Sequence, residues 1–133
     1  MNHCATFFWH VLMLHMIFFS YGDRGALDCA RHPGALGHEK QDAEFFARNH
    51  IDWYKEDACD SPSAKQAAIQ EYDKMRDALN ASGYPVWFAL CGWQPWYAEF
   101  GKTMANSARI GPDTGTGWTA VMQNIENALP VQK

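Results

Sequence analysis

The sequence predicts an α/β domain in which parallel strands alternate with helices. Two observations carry that prediction: short apolar runs at 16–21, 51–57 and 85–91, and amphipathic helical stripes that separate and follow them. A strand that returns to the same sheet through a helix must run parallel to its predecessor. An open doubly wound sheet and a (β/α)8 barrel share this order, and pattern alone does not separate them. Both gather functional groups at the carboxyl ends of strands. Asp23, Asp57, Trp93 and Asp113 fall there.

The elements follow in order. Residues 16–21 form a short buried strand stopped by Gly22-Asp23-Arg24-Gly25, a loop signal. After Pro33-Gly34, residues 39–49 read as a helix with Ala43, Phe46 and Ala47 on one side. Residues 51–57 are the second strand. Ser61-Pro62-Ser63 opens a long helix, with serine as cap and proline at the first position. Its stripe is Ile69, Tyr72, Met75 and Leu79, and Gly83 ends it. Residues 85–91 are a continuous apolar run, as in a strand covered on both faces. A short helix over 96–104, a weak strand at 107–110 and a helix over 117–129 complete the chain. The last helix carries a stripe of Trp118, Val121, Met122, Ile125 and Leu129.

A length of 133 residues suits one domain with a reasonable core. The net charge of -4 without a Lys/Arg cluster argues against a nucleic-acid partner. Six Trp fit a carbohydrate platform or an ordinary large core equally well; Trp53, Trp87 and Phe88 read as core. Cys4, Cys29, Cys59 and Cys91 form no Cys-x-x-Cys pair, so neither a zinc ribbon nor a thioredoxin-like site is indicated. Four buried thiols are the simplest reading of the cysteines alone. Cys29, His32 and His38 lack a fourth ligand, which favours loop histidines over a metal site. Asn80-Ala81-Ser82 is a glycosylation triplet, relevant only to a secreted chain.

The first acidic or basic side chain is Asp23. A signal peptide is one reading of the apolar start, although a basic leader and a small-x-small cleavage site are missing. His10 and His15 interrupt the run and weaken a membrane span. The third reading assigns its end to the first strand. Residues 1–15 are accordingly set apart from a domain over 16–133.

The chemistry concentrates at Lys55-Glu56-Asp57-Ala58-Cys59. Alternation along a strand puts Lys55 and Asp57 on one face, where an ammonium favours an ionised carboxylate. A second carboxyl group, Asp113, follows Arg109 by four residues. Arg109 and Asp113 also fit a plain surface pair at that spacing. An ionised carboxylate with a second carboxyl group as acid is what retaining glycoside hydrolysis requires.

Several segments carry a family resemblance: Tyr21-Gly22-Asp23-Arg24-Gly25, Cys29-Ala30, Pro33-Gly34-Ala35-Leu36-Gly37-His38-Glu39, Gln41-Asp42-Ala43, and Ile51 through Cys59. Met75 through Ala81, Leu90-Cys91-Gly92-Trp93 and Asn106-Ser107-Ala108-Arg109 continue it. In this order and spacing, residues 21–127 resemble family 27 glycoside hydrolases, the melibiase-type α-galactosidases and their α-N-acetylgalactosaminidase relatives. The resemblance implies a partial (β/α)8 barrel, about strands three to six, since a whole barrel needs about 250 residues.

It further implies removal of terminal α-galactosyl groups with retention, without cofactor or metal, in a secreted or vacuolar/lysosomal setting. By the match, Asp57 is the nucleophile and Asp113 the general acid/base. Tyr21, Lys55, Trp93 and Arg109 contact the sugar, and Cys29 and Cys59 form a disulfide. Gly92 stands where the family usually has a polar side chain, which leaves open a 2-acetamido sugar. Ala108 stands in place of a Trp, and Glu56 and Ala58 are unusual neighbours for the nucleophile. The rival reading is a non-catalytic fragment that binds sugar through its Trp-rich loop.

Overall fold

In the computed structural model, residues 17–92 and 96–131 are described. Four strands, β1 (Phe19–Asp23), β2 (Trp53–Asp57), β3 (Trp87–Leu90) and β4 (Ser107–Ala108), alternate with α1 (Glu39–Arg48), α2 (Lys65–Ala81) and α3 (Tyr97–Met104). Helix α4 (Trp118–Ala128) and a short 3-10 turn follow. All strand pairs are parallel, in the order β1-β2-β3-β4. Sequential order without a reversal is an arc of a barrel; a doubly wound sheet reverses its order midway. The fold is therefore part of a (β/α)8 barrel, with four of the eight strands present among the described residues.

The pleat sorts side chains between two environments. Tyr54, Glu56, Phe88 and Leu90 point to the helix side and are buried. There they meet Ala43 and Phe46 of α1, Tyr72, Met75 and Leu79 of α2, and Tyr97 and Met104 of α3. The Tyr54 ring lies 4.6 Å from Phe46 and stacks 6.0 Å from Phe88. Each such side chain contributes about 1.5–3 kcal/mol by leaving water. The other face, which is the lumen side of the arc, carries Phe19, Tyr21, Trp53, Lys55 and Trp87. Phe19 is 67% exposed there.

Several expectations are corrected. The first strand is displaced from 16–21 to Phe19–Asp23, because Gly22 and Asp23 pair in register with Glu56 and Asp57. Phe18 and Phe19 are exposed, because they lie at the open edge of the arc. Helix α2 begins at Lys65, with Ala64 in the cap position. The Pro62 carbonyl accepts a 2.6 Å hydrogen bond from Arg24 and is held outside the helix. Trp87 is half exposed at the amino end of β3, whereas Ala89, next on the same face, is buried. The stripe on α4 is correctly spaced, yet α4 has no buried residue and Trp118 is 75% exposed. The proposed leader at 1–15 lies outside the described residues. No helix among the described residues is long and apolar enough to cross a membrane.

Candidate active site

The site is built from the carboxyl ends of the strands. Asp57 is the last residue of β2, and its orientation is fixed locally. Its Oδ1 accepts the Ala58 N–H at 2.8 Å, and its Oδ2 accepts the Tyr21 hydroxyl at 2.5 Å. Tyr21 reaches it from β1 because the strands are in register, Tyr21 beside Lys55 and Asp23 beside Asp57. Desolvation and then the bond to Asp57 push the Tyr21 pKa up, which keeps the hydroxyl a donor. The Lys55 ammonium lies over the Tyr21 ring, 5.5 Å from its centroid.

Beyond β3, the buried thiol of Cys91 lies beside Arg109, whose Nη1 stands 3.6 Å from its sulfur. Burial first, then the nearby Asp57 carboxylate, raises the thiol's pKa. Arg109 donates from Nε to the Gly111 carbonyl at 2.7 Å and from Nη2 to Asp113 at 2.6 Å. Burial alone would lower the Arg109 pKa, but its Cys91 and Asp113 contacts carry it upward. Asp113 itself is 99% exposed. The i, i+4 pair foreseen from spacing is therefore formed.

The two carboxylates border different hollows, which share no lining residue. A cleft of about 610 Å³ on the lumen side is lined by Trp53, Lys55, Arg109 and Asp113 among others. A smaller hollow of about 260 Å³ lies against Asp57, Cys59, Gly92, Trp96 and Tyr97. The cleft assigns Trp53 a place that sequence reasoning missed. Its lumen-facing position follows from the alternation that places Lys55 there. A side chain at position 92 would run into the Tyr97 ring, which would have to move to admit it. Trp93, expected as a sugar platform, lies outside the described residues.

Cys29 and Cys59 form a disulfide, with Cα atoms 5.2 Å apart. The reading of all cysteines as free thiols is thereby corrected for this pair. Asp23, Cys29, Asp57 and Cys59 bring their donor atoms within 4.8 Å of one another. Those donors are already engaged: the sulfurs are bonded together, and Asp23 accepts two backbone N–H groups. His32 and His38 turn to Asp28 and Gln41. Glu56, beside the nucleophile candidate, points the opposite way. It is fully buried, and desolvation pushes its pKa well above the usual carboxylate range.

A parallel strand arc in sequential order, with Asp57 and Arg109 at or just beyond its strand ends, is a segment of a (β/α)8 barrel with a polar mouth. Residues 8–128 match the family model described as alpha galactosidase A, Melibiase_2. The chain belongs to this melibiase-type family, family 27 of the glycoside hydrolases. It is 41% identical to the α-galactosidase of Zygotorulaspora mrakii over 102 residues, covering 74% of this chain and 22% of the relative. The solved α-galactosidase of Saccharomyces cerevisiae with raffinose superposes with a TM-score of 0.73 at 36% identity, over 77% of this chain and 24% of that one. A putative α-galactosidase/melibiase of Bacteroides fragilis gives a TM-score of 0.80 at 28% identity, over 84% and 25% respectively. The chain thus spans about a quarter of the length of these relatives.

Proposed function

We propose that this chain carries the reacting groups of a retaining α-galactosidase acting on terminal α-D-galactosides. The observation that carries the reading is the Tyr21–Asp57 hydrogen bond at the mouth of β1 and β2, with the chain Cys91, Arg109 and Asp113 following β3 and β4. In the first step, an Asp57 oxygen bonds to the anomeric carbon as the bond to the leaving oxygen breaks. Asp113 protonates that oxygen. In the second, Asp113 takes a proton from water, whose oxygen displaces Asp57 and restores the starting configuration. Tyr21, Lys55 and Arg109 provide hydroxyl contacts, and Trp53 provides an aromatic wall.

The disulfide supports an oxidising setting, secreted or vacuolar. The raffinose-bound relative supports a galactoside as substrate. A second reading, preference for a 2-acetamido sugar, is supported by Gly92 beside the smaller hollow. The test is hydrolysis of aryl α-galactosides and α-N-acetylgalactosaminides, by this chain and by the yeast relative with residues 21–127 grafted into its barrel. Release of galactose first as the α-anomer, lost in Asp57→Ala, is expected. No release by either protein overturns the reading.

A further inference from the structure

We propose that Asp23 and Arg24 form the brace that sets the loop after Asp57, making Asp23 a positioning residue for the reaction proposed above. Asp23 ends β1 and is fully buried. Its Oδ1 accepts the Gly25 N–H at 2.8 Å, and its Oδ2 accepts the Cys59 N–H at 2.7 Å. Arg24 donates its backbone N–H to the Asp57 carbonyl at 3.0 Å. Its side chain donates to the Pro62 carbonyl at 2.6 Å. Two consecutive residues therefore hold the loop at three points: Asp57, Cys59 and Pro62.

The brace is itself anchored. The Arg24 guanidinium pairs with Glu71 on α2 and lies 5.0 Å from the Tyr72 ring centroid. Gly25 packs so closely on the Asp60 carbonyl that no side chain fits between them. A carboxylate serves here because both oxygens receive backbone N–H groups, and such charge-assisted bonds are the stronger kind. Asparagine offers one acceptor and turns an N–H₂ towards a backbone donor. The disulfide Cys29–Cys59 joins the same two loops, yet a cross-link of this kind acts mainly on the unfolded chain. The native position of Asp57 is thus set by the brace.

Hydrogen exchange of the 133-residue chain, read by mass spectrometry, tests this independently of hydrolysis. In Asp23→Asn, a peptide covering 57–63 is expected to exchange about tenfold faster, with α1 and α2 unchanged, as loss of a buried charge-assisted bond predicts. The wild-type chain with its disulfide reduced keeps that loop protected. Wild-type exchange in Asp23→Asn, or equal loss of protection on reduction alone, overturns the brace. Should Asp23→Asn loosen the helices as well, Asp23→Glu supplies the comparison, because it keeps both acceptors one methylene further out. Faster loop exchange with wild-type helices is then expected, and unchanged loop exchange overturns the proposal. Where hydrolysis is measured, kcat falls and KM holds in Asp23→Asn; an unchanged kcat overturns the positioning role. An inactive wild-type chain counts against the glycosidase reading, and exchange still decides the brace.

Discussion

The hydroxyl of Tyr21 donates a 2.5 Å hydrogen bond to Oδ2 of Asp57, across parallel strands whose register places the two residues at one mouth. In the proposed reaction the contact does two things: it orients the Asp57 carboxylate and stabilises its charge. Hydrogen bonds to charged groups contribute about 1.5–3 kcal/mol. Tyr21→Phe is therefore expected to lower kcat/KM for an aryl α-galactoside by about ten- to a hundredfold. Initial rates across a substrate series check this, and an unchanged kcat/KM would remove Tyr21 from the site.

Glu56 makes stability depend on pH in a direction opposite to a salt-bridged acid. Burial raises its folded pKa above its value in the unfolded chain, so the folded state holds the proton more tightly. Stability is then greatest below the unfolded value of about 4.3 and declines as pH rises towards the folded pKa. Glu56→Gln keeps the shape and the Tyr54 contact while deleting this titration. Melting temperatures between pH 4 and 9 are expected to fall more steeply in the wild type than in Glu56→Gln. Parallel curves would contradict the assignment.

The disulfide closes a loop between residues 30 positions apart. Replacing both cysteines by serine is expected to cost about 2–4 kcal/mol of stability. The measurement is the urea midpoint, with the slope checked for a change in the unfolded state.

Arg109 holds the Gly111 carbonyl and Asp113 with different nitrogens of one planar group. Lysine has one nitrogen and cannot keep both partners at these positions. Arg109→Lys is expected to reduce kcat/KM by about tenfold or more, with the larger part in KM if Arg109 grips a sugar hydroxyl. Steady-state kinetics separates the two parameters.

Much of this was readable from residues alone. The spacing of Ala43 and Phe46, and of Tyr72, Met75 and Leu79, predicts faces that are indeed buried. The alternation at Trp53–Asp57 predicts that Lys55 and Asp57 share a face opposite Glu56, and they do. Periodicity names two faces of a strand without saying which is covered, so Trp53 and Trp87 were assigned to the core. It marks an apolar stripe on α4 without supplying a partner. The alternation also puts Asp23 at a strand end, but its bracing role and Arg24 are hidden for another reason. A charged pair after a glycine reads as a solvated turn, and only the register of β1 on β2 carries it beneath the Asp57 loop.

The most direct test of the central claim is the anomer formed when azide replaces the missing carboxylate. In the grafted yeast protein carrying Asp57→Ala, an activated α-galactoside with azide is expected to give β-galactosyl azide, because attack comes from the face Asp57 occupied. With Asp113→Ala, azide opens the covalent intermediate and gives the α-anomer. Proton NMR of the product distinguishes the two. The same anomer from both variants, or no azide adduct from either, would contradict a nucleophile at 57 and an acid/base at 113.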